Sequence, residues 1–573
     1  MQAYLKPARI VISIATLLVV GFLFLDFGDT VPAAWFRKIL WLQFIPSLFG
    51  FLNTLKDGLS LSVFGFAVVL LLTLLFGRVY CSYLCPLGVF QDVICWFSKK
   101  IRKKKRYRFT PPKTWLRYGI LVVVCLSLLS GSIYLVNVLD PYSNFGRFFT
   151  DFFRPLYVLG NNLLVQLLQS LGSYALYPVK VVSANPYALI VPAAMLVLVV
   201  WCAIRKGRLY CNAICPVGTL LGLIACVSLF KIRINKTTCT QCGKCTFACK
   251  SHCIDIKQQQ IDSSRCVGCA NCLKSCDKNS IGYALASANK PKKVVPDKSK
   301  RRFLFGSILF MGALGGLSVK SMAISRKDED ETPKEEHHTG FEEAVKTHQV
   351  SPPGSKGIRH FTGSCTACHL CVSACPTGVL KPSLFEWGFF GMGQPYMDYH
   401  SSFCNYECVK CSEVCPNKAI LPLAESAAPE LKEAAEKDAQ QSFETQFSRT
   451  ANLSDAGDYA LMQSMIQRNI KVRTQIGTVR FIRNNCIVYS EETSCGSCSE
   501  HCPTKAVRMV PYKGELTIPQ IDTDICVGCG ACEYACPVTP NKAILVDGCK
   551  EHGIAQKPDD EAVEEKPLTD FAF

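Results

Sequence analysis

"CTQCGKCTFAC" (Cys239–Cys249) and "CVGCANCLKSC" (Cys266–Cys276) decide the reading of this chain. Each is Cys-x2-Cys-x2-Cys-x3-Cys. Three closely spaced thiolates on one tight loop can grip three irons of a cubane, while a fourth beyond a turn reaches the other cluster of a pair. Two groups in tandem therefore imply two [4Fe-4S] clusters that exchange their fourth ligands. Cys239, Cys242 and Cys245 take Cys276; Cys266, Cys269 and Cys272 take Cys249.

The spacing recurs at Cys365, Cys368, Cys371, Cys375 and at Cys526, Cys529, Cys532, Cys536. Cys404, Cys408, Cys411, Cys415 carry one extra residue in the first gap, and Cys486, Cys495, Cys498, Cys502 a longer first gap. The exchange rule pairs Cys365/Cys368/Cys371 with Cys415, Cys404/Cys408/Cys411 with Cys375, Cys486/Cys495/Cys498 with Cys536, and Cys526/Cys529/Cys532 with Cys502. Six [4Fe-4S] clusters are expected. Structural zinc, the competing reading, uses separated Cys pairs and often His. A disulfide scaffold is usually a small secreted domain, and 34 cysteines in 573 residues grouped this tightly do not fit one. Cys95, Cys125, Cys202, Cys226, Cys253 and Cys549 join no group and read as small core residues.

Upstream lie long apolar runs at 9–26, 59–77, 116–137 and 186–204, each long enough to cross a bilayer. The aromatic, amphipathic stretches 36–53 and 152–172 read as interfacial or re-entrant. The net charge of +18 is concentrated in short basic runs beside these segments, such as "KKIRKKKRYR" (Lys99–Arg108) and "RKGR" (Arg205–Arg208). Such runs mark the cytoplasmic side of a membrane, and nucleic acid is not an expected partner. The expectation is a four-span unit with a cytoplasmic N-terminus. A fifth apolar run, Phe303–Val319, comes after "SKRRFLFG" (Ser299–Gly306), which resembles a twin-arginine export signal. As span or cleaved signal, it would carry residues 325–573 across the membrane; as a Gly-rich surface helix on the cytoplasmic side, it would leave them inside, and crossing is the expectation.

"GRVYCSYLCPLG" (Gly77–Gly88) and "GRLYCNAICPVG" (Gly207–Gly218) end the second and fourth runs. Residues four apart share a helix face, so Cys81 with Cys85, and Cys211 with Cys215, can present paired thiols. If the halves pack about a pseudo-twofold axis, all four converge. Three uses are open: a seventh iron–sulfur centre, a single metal ion, or a redox-active thiol set. Buried structural cysteines are the plainer alternative.

"CTACH" (Cys365–His369) matches a c-type haem attachment motif, but its cysteines already complete a cluster group. All nine His lie at or beyond His252, so the four runs offer no haem ligation, and no Gly-rich nucleotide fingerprint is present.

The cysteine modules resemble bacterial two-[4Fe-4S] ferredoxins. "IDSSRCVGC" (261–269) and "IDTDICVGC" (521–529) place a short strand before the loop; "CPNKAI" (415–420), "CPTKAV" (502–507) and "NKAIL" (541–545) resemble the family's next turn and strand. Pro376, Pro416, Pro503 and Pro537 match the family's Pro after the fourth Cys, whereas Lys250 and Asp277 depart from it. The four runs, the two repeats and the first ferredoxin pair together resemble the NapH family over about residues 1–285, and the region after 300 resembles NapG. The resemblance implies a quinol dehydrogenase that draws on the quinone pool and passes electrons to a periplasmic reductase or cytochrome, in respiration of the nitrate-reductase type. Metalloenzyme assembly and a conduit fed by cytoplasmic ferredoxin are the alternatives. Asp140 and Tyr142 ("LDPYSNFGR"), on the outer side, are candidates near a quinol, though an ordinary loop turn also explains them.

The expected fold is thus a multi-domain membrane protein. An all-α domain of four spans, with a fifth apolar segment, sits in membrane lipid and carries α+β ferredoxin-like modules. The divisions fall at 1–230 (membrane), 231–287 (cytoplasmic two-cluster module), 288–324 (basic linker and fifth segment), 325–356 (polar linker), 357–557 (four-cluster periplasmic domain) and 558–573 (acidic tail). The expected location is a bacterial inner membrane.

Overall fold

The computed structural model describes residues 4–26, 30–54, 61–101, 107–180, 186–285, 342–447, 451 and 455–557. The fifth apolar segment, the basic linker, most of the polar linker and the acidic tail lie outside the described residues.

The first half is helical: α1 (Leu5–Leu25), α2 (Ala33–Leu40), α3 (Phe44–Thr54), α4 (Leu61–Phe76), α5 (Tyr80–Tyr83), α6 (Pro86–Ile101), α7 (Thr114–Leu129), α8 (Tyr134–Leu139), α9 (Pro141–Arg147), α10 (Arg154–Ser170), α11 (Ile190–Lys206) and α12 (Pro216–Ala225). Of the described helices only α1, with 21 residues, is long and apolar enough to cross a membrane by length and composition. The other three expected spans are shorter, at 16 residues for α4, 16 for α7 and 17 for α11. The third run is cut where Gly131 takes φ +82°, and helix resumes only at Tyr134. The aromatic stretch 36–53 breaks into α2 and α3. The stretch 152–172 is α10 with a preceding π-helical turn, Phe148–Phe153. Large apolar side chains stand outward along these helices, including Val11, Leu163 and Val197 at 68%, 70% and 68% exposure. An apolar belt of that extent is unusual for a surface facing water.

Two α+β units flank this bundle, one within 230–285 and one within 342–557, labelled inner and outer by their order in the chain. In the inner unit, strands Phe230–Ile234 and Ile281–Leu285 pair antiparallel and bracket the two Cys loops, and a short ladder joins Ile254–Asp255 to Gln260–Ile261. In the outer unit, Val507–Lys513 pairs with Leu516–Ile521, and Thr474–Phe481 with Ile544–Ile554. Most of the strands expected around the loops form. The one after "CPNKAI" does not: that segment stays a turn whose Leu421 N–H donates to Gly354 O at 2.9 Å, an edge contact to an irregular loop. Helices Pro429–Phe447 and Ala456–Lys471 form a hairpin whose Leu431, Ala435, Phe443, Met462 and Ile466 fill one small core.

The two units stand at opposite ends of the same helices. At the start of α7, Arg117 donates to Ser264 of the inner unit at 3.1 Å. Just beyond its end, the Tyr134 ring lies 5.1 Å from that of Phe389 in the outer unit. On α1, Lys6 is an electrostatic neighbour of Lys250, Cys269 and Lys274. At its far end, Phe24 and the Cys368 carbonyl both crowd Gly146. A helix of α1's length spans about 30 Å at 1.5 Å per residue, which sets the separation of the two units.

Candidate iron–sulfur loops and the thiol core between them

The four regular Cys-x2-Cys-x2-Cys loops share one backbone device. The residues on either side of the second Cys take positive φ: Gln241 and Gly243, Gly268 and Ala270, Ala367 and His369, Gly528 and Gly530. Left-handed residues at these points curl the loop so that its N–H groups turn inward, as in an anion-binding nest. Backbone N–H groups of Ala367, Gly268 and Gly528 donate to the sulfurs of Cys365, Cys266 and Cys526. The two irregular groups lack the device; Val409 and Gly496 have φ −118° and −127°. Beyond the fourth Cys, His252, Asn279, Gly378, Lys418 and Lys505 supply a left-handed turn residue in five of the six groups. The two groups without Pro make this turn too. Their substitutes are used elsewhere: Lys250 pairs with Asp92 of α6 at 3.2 Å, and Asp277 pairs with Lys244.

The structure brings together the thiols that the exchange rule predicts. Cys239, Cys242, Cys245 and Cys276 line one cavity of about 130 Å³. Cys249 neighbours Cys266, Cys269 and Cys272. Cys415 neighbours Cys365, Cys368 and Cys371, while Cys375 neighbours Cys404, Cys408 and Cys411. Cys536 joins Cys486, Cys495 and Cys498; Cys502 joins Cys526, Cys529 and Cys532. Burial, reinforced by the neighbouring thiols, pushes Cys368 up to about 12 and Cys526 to about 11. Several thiolates at one buried point are costly unless a cationic core neutralises them, and inward N–H groups plus four sulfurs fit an iron–sulfur core. The Cys404 N–H donates to Cys529 O at 2.9 Å, so the two outer pairs abut.

Cys81, Cys85, Cys211 and Cys215 also converge. Each is 3% exposed, and all four are electrostatic neighbours. They do not lie on one helix face as expected. The prolines immediately after them force Cys85 and Cys215 out of helical geometry. Cys215 is extended (φ −64°, ψ 119°) and caps α12 by accepting the Gly218 N–H at 3.3 Å; Cys85 accepts the Gly88 N–H at 3.4 Å. Among the described residues, no three His, Cys, Asp or Glu side chains stand close enough to hold a single metal ion, here or in the six loops. Thiols that bind separate corners of one cubane stand farther apart than ligands of one ion.

The two repeats hold each other through exchanged arginines. Arg78 donates to Cys211 O at 2.9 Å, and Arg208 to Cys81 O at 2.6 Å. Gly88 and Gly218 make room, since a Cβ there would lie 2.3 Å from those same carbonyl oxygens. Both arginines are 1% exposed. Arg78 also donates to Ser264 O at 3.0 Å, Asn212 to Ser251 O at 3.2 Å, and Ser82 to Val267 O, so the inner unit's second loop docks directly on the repeats. Asp92 gathers Arg9 and Arg208 at 2.9 Å besides Lys250. Burial raises its carboxyl, but Arg208 and Lys250 outweigh that and hold it well below the usual carboxylate range.

Of the ungrouped cysteines, Cys125 and Cys226 are exposed, contrary to a core role, because they lie on the outward faces of the bundle. Cys253 is buried and its sulfur lies 3.5 Å from that of Cys249. Its four-residue offset from Cys249 was the available signal. His369 is no haem ligand: its nitrogens face Asp151 Oδ1 at 3.0 Å and Gly393 O at 2.9 Å, which ties the outer unit to the π-helical turn. Asp140 caps α9 by accepting the Ser143 N–H at 2.7 Å, the turn role, while Tyr142 is buried beside it.

Comparisons with known proteins find iron–sulfur domains along much of the chain. A model described as a 4Fe-4S binding domain matches 60–105 and 187–235, the two repeats. Models described as 4Fe-4S dicluster domains match 262–379, 364–420 and 493–539. The chain is 23% identical over 190 residues to the ferredoxin-type protein NapF of Escherichia coli, covering 33% of this chain and 81% of NapF. It is 24% identical over 192 residues to the ferredoxin-type protein NapH of Haemophilus influenzae (33% and 54%). It is 26% identical over 194 residues to the methylamine utilization ferredoxin-type protein MauM of Methylobacillus flagellatus (33% and 63%). No solved structure matches. With ferredoxin-type loops throughout and the same domain model on both repeats, the chain is an iron–sulfur electron-transfer protein that resembles NapH-type polyferredoxins.

Proposed function

We propose that this protein is a membrane-bound quinol dehydrogenase that carries electrons through [4Fe-4S] clusters to a periplasmic reductase or cytochrome. One observation carries the reading: the buried thiol core of Cys81, Cys85, Cys211 and Cys215 lies between two ferredoxin-type units at opposite ends of α1 and α7. In this reading α1, α4, α7 and α11 cross the membrane. The inner unit holds two clusters on its exchanged ligand sets and the outer unit holds four. The thiol core takes a seventh. Clusters so placed supply one-electron steps; the chain contributes burial, N–H donors to sulfur, and fixed separations. Arg78 and Arg208 hold the core's loops in register.

The test is anaerobic reduction of the oxidised, detergent-solubilised protein by menaquinol, followed by EPR and visible bleaching. Rapid reduction by menaquinol supports the proposal, and loss of one cluster's iron in Cys81→Ser/Cys211→Ser tests the seventh cluster. A second reading, a conduit fed by a cytoplasmic ferredoxin, draws on the direct docking of the inner unit on the repeats. Reduction by ferredoxin with none by quinol selects it.

A further inference from the structure

A cavity of about 930 Å³ opens where the bundle meets the outer unit. The electron path from thiol core to clusters leaves it without a role. One wall is the break after α7, Ser130–Leu135; the other is the segment 386–391 with Arg359 and Thr362. Tyr134, Trp387, Phe389 and Phe390 give it flat apolar walls, and Phe389 and Phe390 are 57% and 67% exposed. Leu128 and Leu129 at the end of α7 are exposed, continuing the apolar belt. The polar lining includes Glu386, His348, Arg359 and Ser132, whose buried Oγ has no partner. Aromatic walls with acidic, basic and hydroxyl groups among the lining suit an amphipathic ring carried on an isoprenoid tail.

The cavity also borders the nearest cluster loop. Thr362 lines it, and Gln394 Nε2 donates to both Thr362 O and Cys365 O at 2.9 Å. The Trp387 ring lies 5.8 Å from that of Phe361, four residues before Cys365. Glu386 is positioned rather than loose: its Oε2 accepts the Phe385 N–H at 3.0 Å.

We propose that this cavity is the quinol-oxidation site, with Glu386 and His348 as the proton acceptors and Arg359 and Ser132 as ring-oxygen anchors. The proposal rests on the quinol-dehydrogenase reading and gives it a place. In the step, both quinol O–H bonds break. Two protons pass to Glu386 and His348 and then to the outer solution. The two electrons would pass to oxidised clusters held by the outer unit's ligand sets, of which Cys365, Cys368, Cys371 and Cys415 lie beside the cavity, and the quinol becomes quinone. The inner unit is then a side branch for these electrons, since the site lies at the opposite end of α7 from it.

The test uses the full-length holoprotein in lipid nanodiscs with an azido-quinone as photolabel and menaquinol as reductant. Expected are label on peptides containing Tyr134 and Phe389–Phe390, and a roughly hundredfold slower bleaching by quinol in Glu386→Gln. Dithionite bleaching and iron content stay unchanged. Phe390→Ala, at an exposed side chain, weakens labelling without risk to folding. If wild type and variants bleach alike with quinol and the label falls near Asp140–Tyr142, the site is overturned while the function stands. If quinol reduces nothing and ferredoxin does, the function fails and takes the site with it. Label in the cavity with no effect of any variant on bleaching marks lipid-like occupancy and also overturns the site.

Discussion

Replacing Asp92 with Asn isolates what holds the inner unit to the bundle. The carboxylate meets Arg9 and Arg208 at 2.9 Å and Lys250 at 3.2 Å, with its side chain 9% exposed. At an effective dielectric of about 20, each 2.9 Å contact is roughly 6 kcal/mol of gross attraction. Desolvating the ions cancels most of that, and breaking a buried pair costs about 3–5 kcal/mol because the cations are left uncompensated. Asp92→Asn is expected to lose about that much, read as earlier thermal loss of the inner unit's visible absorbance and faster proteolysis of that unit. Lys250→Met, which leaves both arginines paired, is expected to lose less. The sign with pH is fixed by the same contacts. A carboxyl depressed by folding stabilises above its unfolded value near 3.9, and that contribution fades only as pH falls through the lower folded value. Asp92's contribution to docking is therefore flat in pH from 5 to 8. Equal melting of wild type and Asp92→Asn, or a difference between them that titrates within that range, would refute the account.

Gly88→Ala and Gly218→Ala put a Cβ 2.3 Å from a backbone oxygen, and each is expected to cost more than about 3 kcal/mol, seen as loss of folded protein on size exclusion. Cys249→Ser is expected to lose one cluster's iron, whereas Cys253→Ser keeps the iron and shifts only that cluster's EPR signal, as removal of a sulfur 3.5 Å from a ligand would. His552 is pushed down to about 4 by burial and then by Lys471, and its ring meets Ser351 Oγ at 2.9 Å. A histidine depressed by folding stabilises fully above its unfolded value near 6.5 and less as pH falls toward 4, so the outer unit is expected to lose about 1–2 kcal/mol between pH 7 and 5. His552→Gln flattens that dependence in thermal melts.

The cluster loops were legible because ligand spacing is local: a Cys, two residues and a Cys already specify a loop, and a short return turn specifies the exchange. The turn survived even where Lys250 and Asp277 replace Pro, since a left-handed His252 or Asn279 closes it equally well. The thiol core was half legible. The repeat announced convergence, but the helix-face argument ignored the prolines, which make Cys85 and Cys215 caps instead. Hydropathy located the apolar runs and missed their true lengths, because one glycine at 131 ends a helix that composition would continue. The docking contacts of Asp92, His369 and the cavity beside Phe390 join residues far apart in the chain, and no local pattern encodes them.

The crossed arginines make the duplication inseparable. Arg78 completes the loop of the second repeat and Arg208 that of the first, so neither half owns the group that stabilises it. Expressed as two fragments, the halves would each carry a buried guanidinium with nowhere to go and an unfilled carbonyl, and only their mixture would satisfy both. The pair behaves as a lock with two keys held by opposite parties: a lesion at either arginine is felt first in the other copy.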